Sequence, residues 1–322
     1  MIEMKQNRCL YCYRLLNKEE NDFHSACSKK IFGKQEVPEL PYSDKELMEM
    51  GLKVIQSHSA VTGAQVKLSL GLEKGDSRGA PMRLTIVGLL GQFILKPQTE
   101  LYKNLPEVED LTMHLAEICK INTVPHSLIR MKSGNLAYIT RRIDRDKGNK
   151  IHMEDMCQLS ERLTEHKYSG SHEQIGKIIS RYSVNPGLDM VNFYEQVFFS
   201  FLTGNADMHL KNFSLIDQPG MGYVLSPAYD MVSTALVMPS DTEELALNLN
   251  GKKKKIKLSD FMKSMSVNSI PEKSQLNIVN KLESAIPSLL EYVSQGFLPV
   301  KMQETYCDII KGRAKQLHLK YS

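Results

Sequence analysis

GNADMHLKNFSLI, residues 204–216, is the stretch on which the reading of this chain turns. It places Asp207 and Asn212 five positions apart, after an apolar helical segment that stops at Gly204 and before a short run of β-formers. Pro219 and Gly220 then supply a turn, residues 223–225 a second strand, and Asp230 follows in PAYDMVS, residues 227–233. Singly, Asp207 and Asn212 read as turn residues and Asp230 as a cap. The ordered set of helix, Asp, Asn, hairpin and Asp reads as chemistry. Phosphoryl transfer needs one carboxylate to orient an attacking hydroxyl, and an amide oxygen with a second carboxylate to hold a cation against the phosphates. The spacing D-x-x-x-x-N with an aspartate after a hairpin is the kinase arrangement. Hard oxygen donors of this kind suit Mg²⁺. His209 has two readings. It is a metal ligand beside Asp207, or, preferred here, a loop histidine that fixes the backbone, since a softer metal needs more imidazole or thiolate nearby. Lys211 either steers a transferring phosphate or is a solvated surface lysine.

Working outward, FILKP, residues 93–97, is an apolar strand ending in Lys96, which suits a contact with the α/β-phosphates of ATP. Such a lysine needs an acidic partner. Glu109, at the start of a predicted helix, is the first choice and Glu107 the second, although both also suit a helix first turn on dipole grounds. Residues 57–67, SHSAVTGAQVK, hold Gly63 among the small residues Ala60, Thr62 and Ala64. They read either as a phosphate loop or as a plain loop before a strand. Residues 139–144, with Thr140, stand where a hinge would meet adenine through backbone groups.

The composition is that of an ordinary globular protein, with 322 residues, 42% apolar, 24% charged and a formal net charge of +4. No apolar run approaches the ~18 residues of a membrane span and no signal peptide is evident, so a cytoplasmic protein is expected. The predicted organisation is a Cys/His module over 1–33, a connector over 34–56 with Pro38 and Pro41, a strand-rich lobe over 57–146 and a helical lobe over 147–322. The fold class is therefore α+β. Expected strands cover 65–72, 83–90, 92–95 and 136–142. Ser43 with Glu46, and Ser171 with Gln174, have capping-box spacing. Leu111, Leu115, Ile118 and Cys119 make one predicted helix face, and Ile175, Ile178, Ile179 and Tyr182 another. A helix over 188–203 is expected to bury Val191, Tyr194, Phe198, Phe201 and Leu202. A last helix over 300–317 uses Met302, Tyr306, Ile309 and Ile310.

The strings GNADMHLKNFSLI, PAYDMVS, FILKP, RRIDRD (141–146), HMEDMCQL (152–159) and LALNLNGKKKKI (245–256) resemble the HipA-like kinase family over roughly 55–320. The resemblance implies a two-lobed protein-kinase-like fold of HipA type, use of ATP and Mg²⁺, and transfer to a Ser or Thr hydroxyl. By position Asp207 resembles the catalytic aspartate, Asn212 and Asp230 the metal ligands, and Lys96 the ATP lysine. Family members act as toxins of toxin–antitoxin systems, commonly modify aminoacyl-tRNA synthetases and pair with a helix-turn-helix antitoxin, HipB, so any contact with DNA would be indirect. The short stretch before Ser57 is similar to the split form, HipT, whose N-terminal subdomain is a separate protein, HipS. The family also autophosphorylates in the loop matching 57–63. Here Ala60 replaces the usual serine, leaving Thr62, Ser59 and Ser57 as acceptors, Thr62 slightly ahead. A phosphate there, with about −1.5 to −2 charge, would repel the nucleotide and switch the protein off.

Two features stand outside this set. Cys9-x2-Cys12 and His24-x2-Cys27 have the two-by-two spacing of a structural zinc site, weighed against free thiols. The Lys252–Lys255 run with Lys257 is read as a solvated hairpin tip, or as a docking point for an acidic partner or tRNA. The leading alternative to a kinase is a catalytically silent pseudokinase serving as a binding module in an antitoxin–DNA complex. A small-molecule kinase and a metal-dependent hydrolase are more distant.

Overall fold

The computed structural model describes residues 7–47, 49–50, 65–74, 81–87, 91–146 and 149–321. The chain divides into two compact units. The first comprises Met1–Asp110, Val124–Gly148 and Gln295–Phe297; the second comprises Leu111–Thr123, Asn149–Ser294 and Leu298–Ser322.

The first unit is built on a five-stranded antiparallel sheet of β1 (Leu68–Glu73), β2 (Arg83–Ile86), β3 (Phe93–Lys96), β4 (His126–Arg130) and β5 (Leu136–Arg141). The spatial order is β2-β1-β3-β5-β4. Leu68 and Leu70 point into the core while their neighbours are partly exposed, the alternation a half-buried strand requires. Both sheet edges are closed by the N-terminal part of the chain. On β2, Leu84 N–H donates to Glu39 O at 2.9 Å and Glu39 N–H to Met82 O at 2.8 Å. On β4, Leu128 N–H donates to Leu10 O at 3.3 Å and the Ser127 hydroxyl to the same oxygen at 3.1 Å. An edge strand otherwise offers unpaired backbone groups to other chains, so this covering removes a pairing template. The Cys/His module, with its single helix α1 (Ser25–Phe32), is thus part of the first unit and not a unit of its own. Ser43 and Glu46 make the reciprocal hydrogen bonds of a capping box at the start of a helical turn over 44–47.

Helix α2 (Leu105–Ile118) begins in the first unit, and residues 111–123 belong to the second, where the sequence reading had kept them in the strand-rich lobe. Its buried surface is wider than the single predicted face, because Val108, Thr112, Met113 and Ala116 are buried along with Leu111 and Leu115.

The second unit is mainly helical. It contains α3 (Met156–Leu159), α4 (His172–Tyr182), α5 (Pro186–Leu202), α6 (Thr234–Val237), α7 (Leu258–Val267), α8 (Glu272–Val293) and α9 (Val300–Gln316). A three-stranded antiparallel sheet of β6 (Met153–Asp155), β7 (Ser214–Gln218) and β8 (Gly222–Leu225) has β7 in the middle. Helix α4 carries the capping box of Ser171 and Gln174. Its apolar stripe ends before Tyr182, which is 41% exposed, contrary to the predicted face. Helix α5 opens with Pro186 at its first turn, where a missing N–H costs nothing. It is the centre of this unit: Phe193, Tyr194, Val197, Phe198, Phe201 and Leu202 are buried, and Val191 is only partly so. Phe193 packs edge-on against Phe213 at 5.0 Å, and Phe198 lies tilted against Phe261 at 4.7 Å. The rigid end of α5 positions the loop that follows.

Candidate functional site

Helix α5 stops because Gly204 takes φ +69°, a left-handed backbone. Only glycine fits there. An added Cβ would lie 2.8 Å from Ala235 Cβ and 2.9 Å from Ile309 Cγ2. The loop 205–212 is then fixed almost bond by bond. Asn205 N–H donates to Ser200 O at 2.7 Å, Ala206 N–H to Thr234 Oγ1 at 2.8 Å and Asp207 N–H to Asn205 Oδ1 at 3.1 Å. His209 N–H returns to Asp207 O at 2.8 Å, Leu210 N–H goes to Lys167 O at 3.1 Å and Asn212 N–H to His209 O at 2.9 Å. A loop this constrained holds its side chains in place before any ligand arrives.

Within it, Asn212 is buried and donates Nδ2–H to the backbone oxygen of Asp207 at 3.0 Å, joining the two ends of the D-x4-N segment. That bond turns the amide nitrogen towards the backbone and leaves Oδ1 as the acceptor that could meet a cation. Asp207 is half-buried. One carboxylate oxygen, Oδ1, accepts from the Tyr168 hydroxyl at 2.5 Å, and Oδ2 has no partner among the described residues. Burial, then the Asp207 carboxylate, hold the Tyr168 phenol well above its ordinary value, so it stays a donor. Asp230 sits at φ +59°, an uncommon conformation for a non-glycine residue and one that collects at functional positions. Its neighbour Tyr229 ties that segment back to the loop, its hydroxyl lying 3.0 Å from Lys211 O and 2.5 Å from Ser214 Oγ.

The His209 ring is buried, packs edge-on against Tyr168 at 5.0 Å, and its Nδ1 has no hydrogen-bond partner among the described residues. Burial lowers its pKa, against the upward pull of the Asp207 and Asp230 carboxylates. The loop is therefore shaped by the His209 backbone and not by a hydrogen bond from Nδ1. Lys211 is neither loose nor fully solvated: its Nζ lies 2.8 Å from Asp155 Oδ2, while Asp155 Oδ1 caps α3. The oxygen donors of Asn212 and Asp230 fit a hard divalent cation better than a soft one.

In the first unit, Lys96 ends β3 directly opposite Tyr138 of β5. Its Nζ lies 5.3 Å from that ring centroid and 2.5 Å from Glu109 Oε1, with Lys96 3% and Glu109 0% exposed. Glu109, the first-choice partner, is the residue that meets the lysine. Glu107 instead accepts from Gln98 Nε2 at 2.8 Å and Asn104 Nδ2 at 3.2 Å, and burial raises its pKa. A buried ammonium at the end of a strand, held by a helix carboxylate, fits a group that meets phosphates. Of the residues 139–144 expected at a hinge, Thr140 is taken up by the sheet. Thr140 lies inside β5, in register with Ile94 on one side and His126 on the other, and its hydroxyl donates to Pro125 O at 3.0 Å. Its backbone belongs to the ladder and is not open to a base. Gly63, Ala64, Thr62, Ser59 and Ser57 lie outside the described residues.

Cys9, Cys12, His24 and Cys27 converge, their ligand atoms all within 4.8 Å of one another. The lysine run folds onto its own chain: Lys252 pairs with Asp260 at 2.8 Å, Lys253 with Glu243 at 3.5 Å, and Lys254 donates to Thr242 at 2.6 Å. The sequence reading missed Tyr168, Asp155 and Thr234, which act on the loop from 28 to 56 residues away. No local spacing marks such partners.

The sequence profile of the HipA-like C-terminal domain matches residues 59–290. A Sinorhizobium fredii protein named "Putative kinase Y4dM" is 31% identical over 212 residues, which cover 62% of this chain and 51% of that one. The chain therefore spans about half the length of that relative. Among solved structures, HipA of a Shewanella oneidensis toxin–antitoxin complex with HipB and operator DNA is similar with TM-score 0.66 and 20% identity, covering 80% of this chain and 65% of that one. The Helicobacter pylori proinflammatory kinase CtkA is similar with TM-score 0.54 and 12% identity, covering 78% and 93%. At these identities the two structures establish a shared fold. No helix among the described residues is long and apolar enough to cross a membrane.

Proposed function

The chain belongs to the HipA-like C-terminal domain family, and on that premise we propose that it is an ATP- and Mg²⁺-dependent protein kinase acting on a serine or threonine hydroxyl. The observation that carries the reading is the loop in which the Asn212 amide is bonded to the Asp207 backbone while Asp207 Oδ2 stays available. In this proposal Asp207 Oδ2 accepts the hydrogen bond of the attacking hydroxyl and orients its lone pair. Tyr168 holds the other oxygen and so fixes the carboxylate plane. Asn212 Oδ1 and Asp230 hold the cation, which when bound neutralises charge on the phosphates. Lys96 contacts the α/β-phosphates, and Glu109 keeps its ammonium at the end of β3. Electrostatic positioning of this kind is most of what phosphoryl transfer asks of a protein.

The toxin role, a HipB-like antitoxin, a HipS-like partner, an aminoacyl-tRNA synthetase as substrate and autophosphorylation within 57–62 belong to the same proposal. The antitoxin draws support from the HipA–HipB complex that shares this fold; the others rest on the sequence resemblance. One observation favours the alternative of a catalytically silent module: the Tyr168 hydroxyl already occupies Asp207 Oδ1. A single experiment separates the two. The wild type and Asp207→Gln are incubated with Mg²⁺-ATP and cytosolic extract, then examined by intact-mass and phosphopeptide spectrometry. Phosphate on this chain or on an extract protein, absent with Asp207→Gln, is the expected result. No ATP-dependent mass change from a folded wild type would remove the kinase reading and leave the silent module.

A further inference from the structure

The first unit carries a second constellation with no part in the phosphate chemistry. Cys9 and Cys12 lie on a tight turn closed by Tyr13 N–H to Cys9 O at 2.9 Å, after which Tyr13 takes φ +61° and Cys9 N–H reaches Arg14 O at 2.8 Å. His24 is the N-cap of α1 and Cys27 lies in its first turn, so the two side chains share one face three residues apart. The pairs meet head to head. His24 Nδ1 is 3.4 Å from Cys12 Sγ and 3.7 Å from Cys27 Sγ, and Cys9 Sγ completes a group within 4.8 Å.

The imidazole is also oriented. Its far nitrogen, Nε2, lies 3.1 Å from Leu15 O, so the proton belongs on Nε2 and the Nδ1 lone pair points at the three sulfurs. A ligating histidine is characteristically held this way by a carbonyl behind it. Three sulfurs and one imidazole nitrogen in a closed, partly buried set match tetrahedral Zn²⁺, and no open position remains for a substrate. A disulfide would use only two of the three sulfurs.

We propose that Cys9, Cys12, His24 and Cys27 hold one structural Zn²⁺, and that the metal-loaded knuckle closes the β4 edge of the sheet. The module is small: residues 7–33 contain one eight-residue helix, and beside the ligands only Leu10, Tyr13, Phe23, Ile31 and Phe32 are buried apolar side chains. A segment of this size needs a staple to hold its shape. What it holds is specific. Leu10 O, in the loop between the first two ligands, accepts from Leu128 N–H and Ser127 Oγ of β4. Asp22, just before His24, receives Arg130 Nε and Nη2 at 2.9 and 2.8 Å. The metal therefore fixes both acceptors that cover the edge strand. The site lies in the first unit and shares no residue with the Asp207 loop of the second, so the proposal is independent of the kinase reading.

The test uses the full chain and no activity measurement. Metal content is measured after dialysis against a weak chelator. The chain is then emptied with a strong chelator and reloaded with Co²⁺ alone. One zinc per chain, and a Co²⁺ spectrum with tetrahedral d–d bands and thiolate charge transfer, are expected. Cys12→Ser with His24→Ala should lose both. A folded wild type without bound zinc and without the tetrahedral cobalt signature would overturn the site, and so would a double variant that keeps them. Hydrogen exchange tests the edge: on metal removal the Leu128 amide should exchange at least ten-fold faster. An unchanged Leu128 amide in the emptied chain would overturn the edge-closing role.

Discussion

Replacing Glu109 by Gln leaves the Lys96 ammonium, 3% exposed, without the carboxylate 2.5 Å away. Removing one member of a buried ion pair costs about 3–5 kcal/mol, because the remaining charge stays out of water and loses the carboxylate at contact distance. At roughly 2–4 °C per kcal/mol for a chain segment of this size, the melting temperature should fall by roughly 6–20 °C. Lys96→Met should cost a similar amount by taking the ammonium away from Glu109, which is 0% exposed. The combined variant Lys96→Met with Glu109→Gln removes both charges, so no uncompensated charge stays buried. It should therefore be far more stable than the sum of the single losses implies, a non-additivity that a double-mutant cycle measures directly. Urea unfolding followed by circular dichroism and tyrosine fluorescence reads all four proteins; the chain has 13 Tyr and no Trp. In the kinase proposal the stable double variant transfers no phosphate, so stability and activity separate within one set of proteins. A Glu109→Gln chain within about 1 kcal/mol of the wild type would refute the reasoning, since the pair would then not be the buried, mutually dependent contact described.

Gly204→Ala should destabilise the second unit by about 1–3 kcal/mol and loosen the 205–212 loop, since it meets both a left-handed backbone and two methyl contacts under 3.0 Å; thermal melting with hydrogen exchange over the loop checks it. His172 should make the protein acid-sensitive. Its ring is buried beside Phe193 and Phe213, and burial lowers its pKa from 6.5 to about 4. The unfolded chain then binds the proton first. Stability is intact above pH 6.5 and falls as pH drops towards 4, by up to about 3 kcal/mol. His172→Leu should flatten that slope in urea midpoints measured across the same range, and an unchanged slope would assign the acid sensitivity elsewhere.

Much of this molecule is written locally. The Asp207 to Asn212 spacing, the stop at Gly204, the capping box of Ser171 and Gln174 and the paired Cys and His positions depend on neighbours a few residues apart, so the order of amino acids by itself reveals them. The strands around Lys96 are legible for the same reason, through alternation and β-branching. Helix α8 escaped notice because Pro287 lies inside its 22 residues and interrupts the pattern that marks a helix. Contacts between distant segments were beyond reach. The sequence offers Glu109 as the first and Glu107 as the second partner for the lysine, and the packing of α2 decides that Glu109 meets Lys96 while Glu107 turns to Gln98 and Asn104. Thr140 reads as part of a hinge stretch over 139–144, and only the sheet order shows that its strand, β5, lies between two partners. Tyr168 gains its role only because the fold carries its hydroxyl 39 residues along the chain to Asp207. The physical reason is common to these cases. Local conformation is set by short-range sterics and hydrogen bonding, which sequence spacing encodes, whereas the choice of a distant partner is made by burial, when each polar group enclosed by the fold must find a mate.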